Sequence, residues 1–119
     1  MNVLLVDDEQ ELVSTLAERL QFRGIKADWV TNGQAALVAV KEKKYDIAVL
    51  DIKMPGISGL ELGEQIKALD PVVHIIFCTG HGSDSYVKAG SSQYGEAYYL
   101  SKPLDINKLI EKMTQLKSE

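Results

Sequence analysis

The chain has 119 residues, 45% hydrophobic and 25% charged, and this length suits a single domain, residues 1–119, with one core. Its 17 acidic and 13 basic side chains give a formal net charge of −4, and the scattered basic residues predict no direct binding of nucleic acid. The single cysteine, Cys78, excludes an intrachain disulfide, and the apolar runs are too short to span a bilayer, so we expect a cytoplasmic protein with no membrane segment.

Short apolar runs rich in strand formers alternate with stretches of helical periodicity along the chain. The predicted strands are residues 3–6, 25–30, 45–50, 72–77 and 98–101. The predicted helices are residues 10–23, 35–43 and 59–69, a weaker fourth stretch that ends before Gly95, and a C-terminal helix that starts near Ile106. Strands that alternate with helices indicate an α/β fold, with a parallel sheet and helices on both of its faces.

Polar side chains follow four of the five predicted strands. They are Asp7 and Asp8 after the first strand, Asp51 after the third, Thr79 after the fourth and Lys102 after the fifth. Each alone is compatible with an ordinary cap, turn or surface position. Ligands of doubly wound sheets bind beyond the carboxyl ends of the strands, so together these residues predict a binding site at that edge.

Three clustered carboxylates repel one another, since two unit charges about 4 Å apart cost roughly 4 kcal/mol at an effective dielectric of 20. The cluster therefore needs protonation or a cation. Carboxylate oxygens suit Mg²⁺, whereas zinc would need histidine or cysteine ligands. His74 and Cys78 lack such spacing and are interpreted as structural residues.

An aspartate next to a bound metal can attack a phosphoryl group and form an aspartyl phosphate. Such a reaction depends on positioning and charge neutralisation. Mg²⁺, the Lys102 ammonium and the Thr79 hydroxyl could each contact one phosphoryl oxygen. The residues at the strand ends thus match the needs of phosphoryl transfer.

These residues carry a resemblance to the receiver domain of two-component response regulators, and it covers essentially the whole chain. The matching motifs are Asp7-Asp8, the stretch from Asp51 through Lys53-Met54-Pro55 to Gly56, Thr79-Gly80 and Lys102-Pro103. The run Thr79-Gly80-His81-Gly82 is similar to receivers of nitrogen-regulation activators. The resemblance implies a flavodoxin-like (βα)₅ fold with a five-stranded sheet in the order 2-1-3-4-5.

The resemblance also implies roles for the site residues. Asp51 would accept a phosphoryl group from a histidine kinase or a phosphotransfer protein. Asp8 and Asp51 would bind Mg²⁺ directly, Asp7 would bind it through water, and the Lys53 carbonyl would add a further ligand. The peptide bond that precedes Pro103 would be cis. The chain would be a phosphoacceptor regulatory domain that catalyses only its own phosphorylation and dephosphorylation.

In receivers of this type the hydroxyl that corresponds to Thr79 moves toward the phosphoryl group, and the aromatic side chain at Tyr99 turns inward. These movements would remodel the surface of the fourth predicted helix, fifth strand and fifth helix for an output domain, a target protein or a second copy of the chain. Gly90-Ser91-Ser92 predicts a short or frayed fourth helix. Lys53 and His81 are expected to tune the lifetime of the phosphoryl group.

Two other functions compete with this interpretation. A phosphorylation-independent interaction module could share the fold. A haloacid-dehalogenase-like phosphatase also uses a nucleophilic aspartate and Mg²⁺, but it needs a second aspartate two residues after the first. Lys53 occupies that place after Asp51 and Glu9 occupies it after Asp7, so the phosphatase is disfavoured.

Overall fold

The computed structural model describes residues 1–80 and 99–118. The strands are β1 (Asn2–Val6), β2 (Lys26–Val30), β3 (Ile47–Asp51), β4 (His74–Thr79) and β5 (Tyr99–Ser101). The helices are α1 (Gln10–Phe22), α2 (Gly33–Glu42), α3 (Gly59–Leu69) and the C-terminal helix α4 (Ile106–Lys117). All neighbouring strands are parallel, in the order β2-β1-β3-β4-β5. The predicted α/β class and the sheet order 2-1-3-4-5 are confirmed.

The fourth predicted helix lies outside the described residues, as do His81 and the Gly90-Ser91-Ser92 run. The C-terminal helix α4 is therefore the fifth helix of the sequence-based expectation. Within residues 1–80 and 99–118, the other predicted strands and helices are present with end shifts of a few residues.

The sheet is covered on both faces, and each face has its own core. Val3 and Leu5 of β1 pack with residues of α1 and α4, whereas Leu4 and Val6 pack with residues of α2 and α3. Complete burial of such a side chain stabilises the fold by roughly 1.5–3 kcal/mol. A strand buried on both faces needs apolar residues at successive positions, which explains the continuous runs in the sequence.

Side-chain caps determine where three helices begin. The side chain of Asn32 accepts a hydrogen bond from the Ala35 amide at 2.8 Å, so α2 begins at Gly33, two residues before its predicted start. Ser58 caps α3 and Asp105 caps α4 through the same kind of contact. Each cap satisfies backbone donors that a helix end leaves open and contributes about 1 kcal/mol.

Strand β4 begins and ends two residues later than predicted. The side chain of Asp70 accepts a hydrogen bond from the Val72 amide at 3.2 Å, and its carbonyl accepts one from Val73 at 3.3 Å, which holds this segment in a turn. The strand then continues through Thr79, which pairs with Ser101 of β5. Thr79 is therefore the last residue of its strand and does not lie beyond it.

Cys78 is fully enclosed near the end of β4, and burial raises the pKa of its thiol to about 12. A protonated thiol in the core agrees with the interpretation of Cys78 as a structural residue. Across residues 1–80 and 99–118, no helix combines the length and the apolar character that a bilayer crossing requires.

Candidate functional site

The carboxyl ends of β1, β3 and β4 lie side by side, because β3 pairs with both of the other strands. Asp7 directly follows β1, Asp51 ends β3 and Thr79 ends β4. The sheet order thus brings to one edge three residues that are far apart in sequence, as the sequence predicted.

Asp7, Asp8 and Asp51 form an acidic cluster at this edge. Each offers a carboxylate oxygen, and these oxygens lie within 4.8 Å of one another. Asp7 and Asp51 are each only 7% exposed, whereas Asp8 is exposed to solvent. The cluster therefore has a buried base and one open side.

Lys102 reaches this cluster from the loop that follows β5. Its Nζ lies 2.9 Å from Asp7 Oδ2 and 3.3 Å from Asp51 Oδ1. Its backbone amide donates a hydrogen bond to the Thr79 carbonyl at 2.8 Å, which ties the start of the loop to β4. The Lys102–Pro103 peptide bond is cis, as predicted. The ammonium thus bridges two of the three carboxylates.

The charges at the site are not balanced by these residues. Three ionised carboxylates and one ammonium leave a formal local charge of −2. Burial is the largest influence on Asp51 and raises the pKa of its carboxyl; the Lys102 charge opposes this effect and the Asp7 charge adds to it. Burial by itself would lower the pKa of Lys102, but its hydrogen bond to Asp7 and the charges of both carboxylates outweigh burial, so that pKa is raised.

Two backbone contacts also hold the acidic side chains. The Glu9 amide donates a hydrogen bond to Asp7 Oδ1 at 3.0 Å. A hydrogen bond from the Lys53 backbone favours the ionised form of Asp51. Neither contact was predictable from the sequence, because a backbone amide leaves no residue-type signal. The only available hint was the position of each amide two residues after an aspartate, a common turn geometry.

The remaining predicted site residues are Thr79 at the end of β4, Tyr99 at the start of β5 and Lys53 in the loop after β3. Thr79 is buried, and its hydroxyl donates a hydrogen bond to the Gly80 carbonyl at 3.3 Å. Tyr99 is half-buried, and its ring stacks on Phe77 with a centroid distance of 5.2 Å. The Lys53 side chain is exposed. The roles assigned to these residues stay predictions.

The donor set fits a hard divalent cation. All three cluster atoms are carboxylate oxygens, which Mg²⁺ prefers, and the formal charge of −2 equals the charge that one such ion would compensate. Asp8 on the open side leaves room for water in the coordination shell. Asp7, Asp8 and Asp51, with backbone carbonyl oxygen, are the groups that could hold this ion.

The chain is similar to known signalling proteins over nearly its whole length. Residues 3–114 match the family model described as response regulator receiver domain. The chain is 35% identical over 108 residues to the DNA-binding transcriptional regulator NtrC of Salmonella typhimurium, covering 91% of this chain and 23% of that protein. It is 34% identical over 112 residues to the response regulator ArlR of Staphylococcus epidermidis, covering 94% of this chain and 50% of that protein. The chain thus spans at most half the length of these two relatives.

A solved structure supports the same assignment. The response regulator TrrA of Thermotoga maritima, in complex with Mg²⁺-BeF, superposes with a TM-score of 0.81 at 35% identity and covers 97% of each chain. The family match, the sheet order and the acidic cluster at the carboxyl edge agree with one another. The chain therefore belongs to the response regulator receiver domain family, the regulatory domains of two-component signalling systems.

Proposed function

We propose that this receiver is a phosphoacceptor in which Asp51 takes a phosphoryl group from a histidine kinase or a phosphotransfer protein. The observation that carries the proposal is the bridge made by Lys102, whose Nζ lies 3.3 Å from Asp51 Oδ1 at a buried edge shared with Asp7 and Asp8. A carboxylate next to a fixed ammonium and two further acids has the groups that phosphoryl transfer needs.

Magnesium is the proposed cofactor. Asp8 and Asp51 would bind the ion directly, Asp7 would bind it through water, and the Lys53 carbonyl would complete the protein ligands. When bound, the ion supplies positive charge that neutralises the phosphoryl oxygens. Without it, the site holds an excess of negative charge that would repel an incoming phosphoryl group.

In the transfer step, a carboxylate oxygen of Asp51 attacks the phosphorus atom of a phosphohistidine. A new O–P bond forms while the P–N bond to the donor imidazole breaks, and the nitrogen keeps the electron pair of that bond. Lys102 would contact a transferring oxygen, and the contact of its ammonium with Asp51 supports this role. Rotation of the Thr79 hydroxyl away from the Gly80 carbonyl would allow it to donate to a second oxygen.

The donor would approach through a groove between α1 and the loop after β5. Leu12, Leu16 and Arg19 of α1 line one side of the groove, and Lys102 and Leu104 line the other. Lys102, whose ammonium contacts Asp51, borders this groove, which supports an approach of the donor histidine from this side.

Phosphorylation would be reported through Thr79 and Tyr99. The added phosphoryl group brings about −1.5 to −2 charges and draws in the Thr79 hydroxyl. Tyr99 already packs against Phe77 in the neighbouring strand, so a rearrangement at the end of β4 would change the packing of its ring. The surface that changes would comprise the fourth predicted helix, β5 and α4. An output domain, a target protein or a second copy of the chain would bind this surface.

Intact-mass measurement with a small acyl phosphate and Mg²⁺ tests the proposal. We expect wild-type protein to gain the mass of one phosphoryl group, and we expect Asp51→Asn to gain none because it lacks the nucleophilic carboxylate. Asp46→Asn is a matched control, since Asp46 lies before β3 at the opposite end of the same strand. A wild-type protein that stays unmodified would favour the phosphorylation-independent interaction module.

A further inference from the structure

Gly59, the first residue of α3, lies in direct contact with the segment that carries the proposed phosphoacceptor. Its amide donates a hydrogen bond to the Ile52 carbonyl at 2.8 Å, and Gly59 itself is buried. The Ile52 amide in turn donates to the Cys78 carbonyl of β4 at 3.1 Å. Ile52 is therefore held from both sides, by β4 and by the first residue of α3.

A side chain at position 59 would collide with this segment. An added Cβ would lie 2.7 Å from Ile52 Cα, 2.9 Å from the carbonyl carbon of Asp51 and closer still to the Asp51 carbonyl oxygen. All three atoms belong to the backbone and cannot rotate away as a side-chain tip can. Even alanine would require the end of β3 and the start of α3 to separate.

Three other glycines, Gly24, Gly33 and Gly56, differ from Gly59 in this respect. At Gly33, the nearest atom to an added Cβ is a methyl group of the Ile57 side chain, which can adjust. At Gly24 and Gly56 an added Cβ meets nothing within 4 Å, and these positions favour glycine because their φ angles are +80° and +85°. Among these four glycines, it is at Gly59 that an added side chain would collide with the main chain of Asp51.

We propose that Gly59 is a positioning residue, whose missing side chain fixes the main chain of Asp51 at the distance from Lys102 and from Asp7 and Asp8 that phosphoryl transfer requires. This inference rests on the proposed function. The Asp51 carboxylate can move only as far as its own main chain allows, and Gly59 is packed against the carbonyl of that residue. The loop that begins at Ile52 contains Lys53, so displacement of Ile52 would also shift the proposed Lys53 ligand.

The expected consequence is a loss of reaction rate that exceeds any loss of folded protein. A displacement of about 1 Å at a reacting group can reduce a rate about a hundredfold. We expect Gly59→Ala to be phosphorylated by a small acyl phosphate about ten- to a hundredfold more slowly than wild type at saturating Mg²⁺. The Mg²⁺ affinity should fall as well, because Asp51 and Lys53 both belong to the proposed ligand set.

The matched control is Gly24→Ala, which lies after α1 and disturbs the fold through its positive φ without touching the site. Both variants are compared with wild type at a temperature where circular dichroism shows that all three are folded. Phosphorylation rates come from intact mass, and Mg²⁺ affinity comes from amide chemical shifts. Gly24→Ala should keep the wild-type rate and affinity even where its melting temperature falls.

The outcomes separate this inference from the proposed function. The positioning role is supported if Gly59→Ala is phosphorylated slowly while Gly24→Ala is phosphorylated at the wild-type rate. A folded Gly59→Ala with the wild-type rate and Mg²⁺ affinity overturns it. If wild type itself accepts no phosphoryl group, the proposed function fails and the positioning role fails with it. If Gly59→Ala does not fold, the comparison is repeated in trimethylamine N-oxide, which favours the folded state. Failure to fold there as well overturns the inference, since Gly59 would then be needed for the fold and not for the site.

Discussion

Two lysine–aspartate ion pairs lie at opposite ends of the same sheet and have nearly the same length. At the carboxyl edge, Lys102 Nζ is 2.9 Å from Asp7 Oδ2; at the amino edge, Lys117 Nζ of α4 is 2.8 Å from Asp46 Oδ1. Their surroundings differ. The side chains of the first pair are 21% and 10% exposed, whereas those of the second pair are 49% and 31% exposed.

The number of acids around each lysine accounts for the difference in chemistry. Asp46 is a single carboxylate, and the hydrogen bond from Lys117, followed by that from the Asn2 amide, lowers its pKa. Asp51 is buried and shares Lys102 with Asp7, and burial raises the pKa of its carboxyl. The Lys117–Asp46 pair braces the last helix against the sheet, whereas the site around Lys102 keeps negative charge that a metal ion can balance. The length of an ion pair therefore does not indicate its role unless the surrounding charges are also counted.

Of the substitutions that test this comparison, replacement of Lys102 should change the phosphorylation rate most. Lys102→Met removes the ammonium that contacts both Asp7 and Asp51, and we expect phosphorylation by an acyl phosphate to slow about a hundredfold or more. The same variant should bind Mg²⁺ several-fold more tightly, because the acids lose their internal cation. Mass spectrometry measures the rate and a calorimetric titration measures the affinity.

Lys117→Met is the matched control for Lys102→Met, since it removes the same side chain from the opposite edge. It should leave both the rate and the affinity unchanged. Weaker Mg²⁺ binding by Lys102→Met would contradict the view that its ammonium competes with the metal ion for Asp7 and Asp51.

A smaller effect is expected for Asp7→Asn. In the proposed site Asp7 contacts the ion through a water molecule. Loss of a residue in such a position typically lowers metal affinity about ten- to a hundredfold. We expect Mg²⁺ affinity to fall by about tenfold while the phosphorylation site is retained. Asp46→Asn should bind Mg²⁺ as wild type does; equal affinities of Asp7→Asn and wild type would remove Asp7 from the ligand set.

The smallest effect is expected at the amino edge. Lys117→Met should lower the free energy of unfolding near neutral pH by about 0.5 kcal/mol, since exposed pairs contribute little. Because the folded-state pKa of Asp46 lies below its ordinary value of 3.8, the contribution of the pair is present above that value and is lost as the pH falls through the folded-state pKa.

Urea unfolding of wild type and Lys117→Met as a function of pH measures this contribution. The difference between the two proteins should be constant near neutral pH and should vanish only once the pH has fallen below the lowered pKa of Asp46 in the folded protein. A difference that persists at the lowest pH would assign the effect of Lys117 to packing of its side chain and not to its charge.

Much of the fold was predictable because its signals are local. The bounds of α3 were predicted to the residue, and the apolar runs identified all the strands found in residues 1–80 and 99–118. The start of β4 was predicted two residues early, because the Asp70 side chain holds the following residues in a turn. That contact depends on a geometry that apolar patterning does not encode.

The meeting of the acidic side chains at one edge was predictable for the same reason. Asp7, Asp8 and Asp51 were recognisable as acids at strand ends, and parallel strands bring such ends to one edge. The sequence also placed Lys102 at this edge, but not which carboxylates its ammonium contacts, since that depends on how segments 95 residues apart pack together. The amino-edge pair was missed entirely, because 71 residues lie between Asp46 and Lys117 and neither follows a strand.

The sequence by itself determined the element order, the two-faced core and the chemical types gathered at the carboxyl edge, since each depends on residues close together in the chain. The tertiary structure alone decided which acids share Lys102, how deeply Asp51 is buried and how near Gly59 lies to its main chain. Those quantities are distances and burial between distant segments. They are determined by how helices and strands pack, and packing brings into contact residues that no local pattern relates.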